Sequence, residues 1–186
     1  MSSLRTDYLD ALGIDVWVER SSAAEEVLPD QRSAATSADA AVSGLDWDAL
    51  SDAVSKCTAC ALHTTRSQTV FGVGDIDASL LVVGEAPGAD EDRQGEPFVG
   101  RAGQLLNAML RAIGLAREQV YIANILKCRP PNNRDPLPDE MEKCRPYLDE
   151  QIKIIQPRII CALGRVAAQA LLRTTTPLGK LRNKWH

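Results

Sequence analysis

Four of the five cysteines could meet at one metal centre. Cys57 and Cys60 are two residues apart at what reads as the end of a helix, where the turn brings both sulfurs to the same side. Cys128 and Cys144 follow after gaps of 67 and 15 residues, the first just past an apolar run and the second inside a helical pattern. Four thiolates from two distant segments can close a tetrahedral site, and zinc, a 4Fe-4S cluster and no metal at all stand as three readings of that spacing. An odd cysteine count without an export signal disfavours disulfides. Cys161 lies in an apolar run and reads as a core residue.

A second group of residues could recognise a flat polar ligand. Asn124 interrupts the apolar run Val120–Leu126, and a buried amide left without partners costs about 1–3 kcal/mol. Either neighbouring backbone satisfies it, or it reads the edge of a base, since its donor and acceptor complement a pyrimidine's O4 and N3–H. Phe98, one of two phenylalanines, sits in a loop between Pro97 and Val99 and is either a small core plug or a stacking platform. Glu85, Asp90, Glu91, Asp92 and Glu96 crowd the same stretch. They could hold a divalent cation, face solvent, or include a carboxylate that acts on substrate. His63 and His186 are the only histidines, and neither stands beside an obvious nucleophile.

The elements that must position these residues follow from periodicity. Residues 80–107 are the organising stretch: a β-branched apolar run stops at Gly84, a loop rich in acidic residues and glycine follows, and a helical pattern resumes at Gln104. Such a buried strand delivers its loop to a ligand at the carboxyl edge of a sheet. Strands are expected at 79–84, 120–126 and 158–164. Helices are expected from Trp47 with Asp46 as N-cap, over 104–113 with Leu105, Leu106, Met109, Leu110 and Ile113 as its apolar stripe, from an Asp139 cap to Gln151, and over 167–172. The segment 69–75 reads as a loop or edge strand, too short and too acidic at its end for a phosphate-binding glycine turn. Alternation of strand, loop and helix gives an α/β fold with a parallel sheet and right-handed crossovers.

Composition bounds the rest. With 45% apolar and 25% charged residues in 186, the chain has an ordinary globular composition. The net charge of −4 is uneven: residues 1–46 hold 3 basic and 9 acidic side chains, whereas from Arg93 onward 16 basic residues face 8 acidic ones. Those residues could present a basic surface to phosphates if the fold gathers them. The N-terminus lacks the features of a signal peptide, so a cytoplasmic protein with no membrane partner is expected. Residues 1–20 are expected to carry a helix, 21–45 to be an Ala/Ser-rich flexible linker, and 46–186 to form the functional domain, as a monomer by default.

Taken together, Gly84-Glu-Ala-Pro-Gly88, Glu91-Asp92, Gly95 through Gly100, Ala102-Gly103, Tyr121-Ile-Ala-Asn124, Lys127-Cys128-Arg-Pro-Pro131 and the cysteine spacing resemble the family 4, iron-sulfur-containing uracil-DNA glycosylases. The resemblance covers about residues 47–185. It implies a three-layer αβα fold with a parallel central sheet, and a 4Fe-4S cluster on Cys57, Cys60, Cys128 and Cys144. The implied reaction is hydrolysis of the N-glycosidic bond of deoxyuridine in DNA, single- or double-stranded, leaving an abasic site. By that resemblance Phe98 stacks on the extruded uracil and Asn124 bonds its Watson-Crick edge. Glu91 stands near C5 to exclude a methyl group, while Glu85 and the backbone of Gly84, Ala86, Pro87 and Gly88 line the pocket and place the attacking water. The family pattern continues with a further strand and a His-Pro loop, so this chain is expected to be a truncated member lacking its last strand. His186, not followed by proline, is not given that histidine's role. The alternative function is a catalytically inactive iron-sulfur protein that binds DNA or a repair partner.

Overall fold

The computed structural model describes residues 42–186 of the chain. The expected helix at 1–20 and most of the linker lie outside the described residues. The linker's last residues are docked: Val42 is buried and the Gly44 N–H donates to Glu150 Oε1 at 2.9 Å.

Helix α1 (Trp47–Ser55) starts where its cap demands, with Asp46 Oδ1 accepting the Ala49 N–H at 2.8 Å. It buries Leu50 and Val54, while Trp47 packs edge-on against Phe71 and Tyr121 at ring separations of 5.0 and 5.2 Å. A single 3-10 turn, Ala61–Thr64, follows the first two cysteines.

Four strands then build one sheet: β1 (Val73–Gly74), β2 (Leu80–Gly84), β3 (Tyr121–Asn124) and β4 (Ile159–Ala162), in the order β1-β3-β2-β4. The last three are mutually parallel, as expected. The sheet as a whole is mixed, because the segment leading from the cysteines adds two residues antiparallel to β3 as an edge.

Side chains alternate between two faces, which makes the three layers. Leu81, Val83, Tyr121 and Ala123 pack with Leu148 and Ile155 of α4 (Pro138–Ile155) and Ala167 of α5 (Arg165–Leu171). Val82 and Ile122 point the other way, onto Leu106 and Leu110 of α3 (Arg101–Ala112). Two smaller helices, α2 (Ala89–Gln94) and α6 (Leu178–Leu181), and two further 3-10 turns, Arg117–Gln119 and Pro131–Asn133, complete the described elements.

Three local expectations are corrected. Only Leu106 and Leu110 of the α3 stripe are buried, while Leu105, Met109 and Ile113 are more than half exposed, because nothing among the described residues covers the helix's far side. Cys161 is exposed rather than core: β4 is the outer strand, and its neighbours Ile159 and Ile160 are 45% and 40% exposed. α4 starts at Pro138, whose fixed φ suits a first helical position, and Glu140 rather than Asp139 accepts the free Leu137 N–H, at 2.9 Å.

The topology locates the crevice. From β2 the chain passes to β3 on one side and later to β4 on the other, so the carboxyl end of β2, at Gly84, is the switch point where open sheets of this kind receive ligands.

Candidate functional site

Register places Gly84 level with Asn124 on the neighbouring strand. The absence of a side chain on Gly84 is what makes the site: a β-carbon there would stand 2.4 Å from Asn124 Oδ1 and 2.5 Å from Phe98 Cζ. Glycine thus lets an amide and an aromatic ring converge on one point of backbone. Asn124 is 2% exposed, and its Oδ1 is the buried side-chain polar atom left without a partner among the described residues. The neighbouring backbone, which could have satisfied it, does not.

Phe98 reaches this point through a constrained loop. Its φ is 53°, a left-handed conformation unusual for an aromatic residue. Glu91 holds the loop there, with Oε1 accepting the N–H groups of Val99 and Gly100 at 3.0 Å each and Oε2 accepting that of Gly88 at 3.1 Å. On the other side Arg117 donates to Pro97 O at 2.5 Å. Gly103 lets α3 begin against this loop, since a β-carbon there would lie 1.7 Å from Phe98 O. The carboxylate of Glu91 is therefore engaged by three backbone N–H groups of the loop that carries Phe98.

Glu85 follows Gly84 directly and makes no such clamp. Its backbone carbonyl accepts the Leu126 N–H at 3.0 Å, and its half-buried carboxyl is pushed above the usual carboxylate range, first by burial and then by the nearby Asp135, with Arg165 opposing. Asp135 and Arg165 pair at 2.8 Å. Asp92 is also structural: it is buried, and both its oxygens accept the Ser67 N–H, at 3.0 and 3.1 Å. Ala86 faces the cysteines, packing on the cluster formed by Leu62, Leu126, Cys128 and Cys144.

The fold brings Cys57, Cys60, Cys128 and Cys144 around one small cavity that Arg66, Lys127, Lys143 and Tyr147 also line. Arg66 Nη1 donates to Cys128 Sγ at 3.1 Å and the Lys127 N–H to Cys144 Sγ at 3.2 Å. Burial pushes the Cys144 thiol up to about 12 and raises Cys128 and Cys60, while the surrounding cations oppose. Two buried and two half-buried cysteines, with N–H donors on Cys128 and Cys144 and three basic residues lining the cavity, suit an anionic thiolate-bound centre. Among the described residues no three His, Cys, Asp or Glu side chains close to the spacing of a single ion. His63 accompanies this region with Nδ1 2.8 Å from Cys60 O, and His186 Nε2 lies 3.0 Å from Leu181 O.

Lys127 and Gln151 were not visible as site residues in the sequence. Both are buried, and Lys127 Nζ lies 2.6 Å from Gln151 Oε1 and 3.1 Å from Asn124 O. The available signal was a lysine enclosed between Leu126 and Cys128, where a solvent-facing cation has no place.

A family profile described as "Uracil DNA glycosylase superfamily" covers residues 71–186. A type-4 uracil-DNA glycosylase of Archaeoglobus fulgidus is 59% identical over 116 residues, spanning 62% of this chain and 58% of that protein. One from Thermotoga maritima is 53% identical over 118 residues, 63% of this chain and 62% of its own length. One from Pyrobaculum aerophilum is 46% identical over 144 residues, 75% and 74% respectively. The chain thus spans about three fifths of the length of the first two relatives.

Proposed function

Because the chain belongs to the uracil-DNA glycosylase superfamily, on its type-4 side, we propose that it releases uracil from deoxyuridine in DNA by hydrolysing the N-glycosidic bond. The observation that carries this reading is the unpartnered, buried Asn124 Oδ1 beside the Phe98 ring. A buried acceptor without a donor is costly, and a ligand that supplies an N–H removes the cost. Uracil does so through N3–H while its O4 accepts from Nδ2. Cytosine offers an acceptor at N3 and a donor at N4, so both contacts fail, and discrimination by such a paired hydrogen-bonding site is steep.

A base inside a duplex is out of reach of this buried edge, so the nucleotide must be flipped at a cost of a few kcal/mol, least for mispaired or single-stranded uracil. Phe98 offers the extruded base a stacking face, at about 1–3 kcal/mol. Glu91 acts as the positioning residue that keeps Phe98 in place. Departure of the base leaves positive charge on the sugar, and the ionised carboxylate of Glu85, beside the backbone of Gly84–Gly88, is suited to stabilise it and to orient the attacking water.

Cys57, Cys60, Cys128 and Cys144 would hold the 4Fe-4S cluster of this reading. When bound, the cluster supplies a staple between the segment after α1 and the loop after β3. Four thiols lining one cavity supply the ligand number that such a cluster takes.

The test is direct. Purified protein is incubated with an oligonucleotide containing one uracil and then treated with alkali, and strand cleavage at the uracil is expected. Intact strands together with retained, salt-sensitive DNA binding would overturn the assignment.

A further inference from the structure

Lys127 bonds to both sites at once. Its main-chain N–H donates to Cys144 Sγ at 3.2 Å, and its carbonyl accepts the Val70 N–H at 2.8 Å. Its ammonium, on a side chain enclosed by protein, has three acceptors: Gln151 Oε1 at 2.6 Å, Asn124 O at 3.1 Å and Phe71 O at 3.2 Å. Three protons and three acceptors leave this cation no freedom to turn. Gln151, also fully buried, fixes the arrangement by donating from Nε2 to Phe71 O at 3.1 Å and to Tyr121 OH at 3.3 Å.

The Asn124 carbonyl shares a peptide with the Ile125 N–H, which donates to Gly84 O at 2.9 Å, and the ammonium caps that carbonyl. Because the Asn124 side chain makes no bond through Oδ1, its aim depends on how firmly its backbone is held. A charge-assisted bond to that backbone is stronger than a neutral one. The same residue is tied through its amide to a cysteine of the candidate cluster.

We propose that Lys127, with Gln151, is a positioning unit that links the cysteine site to the base-reading pocket by fixing the backbone from which Asn124 projects. Filling of the cysteine site then sets the alignment of Asn124 through one residue rather than through general rigidity. This rests on the reading of Asn124 as the uracil reader.

The decisive variant is Gln151→Leu, which removes one ammonium partner and leaves the cysteines untouched; Lys127→Met orphans three buried acceptors and serves only where it folds. In cluster-loaded protein, Gln151→Leu should retain its iron and its binding of uracil-free DNA. Its affinity for free uracil and its excision rate should each fall about tenfold, the scale of one hydrogen bond to a charged group. In an Asn124→Ala background the same change should alter excision less than twofold, since the unit acts through Asn124. Equal losses in both backgrounds, or a parallel loss of DNA binding, would overturn the proposal. A readout independent of activity is the side-chain amide signal of Asn124 in a nitrogen-15 spectrum, assigned by its absence in Asn124→Ala. It should move in Gln151→Leu and on removal of the cluster, and an unmoved signal would refute the link even if the protein released no uracil at all.

Discussion

Asn124 Oδ1 lies 2.4 Å from the point where a β-carbon on Gly84 would stand, and Phe98 Cζ lies 2.5 Å from that same point. A methyl group there must displace the amide, the ring or both. Gly84→Ala should therefore cost about 1–3 kcal/mol of stability as overpacking. Excision should fall by roughly 10²-fold, the effect of a small misplacement of positioning groups. Thermal melting and single-turnover excision check the two effects, and a fully active Gly84→Ala protein would mean that the convergence is not the pocket.

Glu91 provides a separate handle on the same pocket. Its carboxylate accepts three backbone N–H groups, from Gly88, Val99 and Gly100. Glu91→Ala should orphan them, lowering stability by about 1–3 kcal/mol and freeing Phe98 from its left-handed conformation. The expected signature is slower excision with unchanged uracil-over-thymine preference. A gain of activity on thymine would place Glu91 at the base edge.

Much of this pocket was legible in the sequence, for local reasons. Asn124 stood out because an amide in an apolar strand needs a partner, and the Asp46 cap and β2 follow from short-range pattern. What could not be read depended on which elements lie outermost or fold back. Cys161 looked buried because periodicity does not say that β4 is the outer strand among the described residues, and the apolar stripe of α3 could not tell covered Leu106 from exposed Leu105. Lys127 was missed for the same reason: the side-chain partners of its ammonium include Gln151 and the Phe71 carbonyl, 24 and 56 residues away.

Acid should weaken the fold through Glu140. Hydrogen bonds from Arg134 hold its carboxyl below the usual carboxylate range, helped by the Leu137 N–H and by the charge of Arg134, against a raising effect of burial. The folded value lies below the unfolded one of about 4.3. The stabilisation is fully present above that unfolded value and is lost as pH falls through the folded one. Urea midpoints measured from pH 7 down to pH 3 should drop, and Glu140→Gln should flatten part of that slope. An unchanged slope in the variant would remove Glu140 from the account.

The cysteine quartet predicts a contrast with the fifth cysteine. Serine at Cys57, Cys60, Cys128 or Cys144 should abolish iron and sulfide binding, most damagingly to stability at Cys128 and Cys144, which are buried. Cys161→Ser, exposed on β4, should leave iron content and melting unchanged. Iron loss from Cys161→Ser equal to that from Cys144→Ser would show that the ligand set is misassigned.

Glu85 predicts where activity fails in acid and how to move that point. Burial, then the charge of Asp135, raises its carboxyl above the ordinary range, and Arg165 pulls it back. If the ionised form stabilises charge on the sugar, excision falls as pH drops through this raised value, so the acid limb stands higher than an ordinary carboxylate would place it. Removing the negative neighbour with Asp135→Asn should shift the limb to lower pH. Removing the cation with Arg165→Met should shift it upward, because Asp135 then acts on Glu85 without its 2.8 Å partner. Glu85→Gln should lose the limb altogether along with most of the rate. Single-turnover excision measured across pH for the four proteins decides the matter, and limbs that coincide in all of them would take Glu85 out of the reaction.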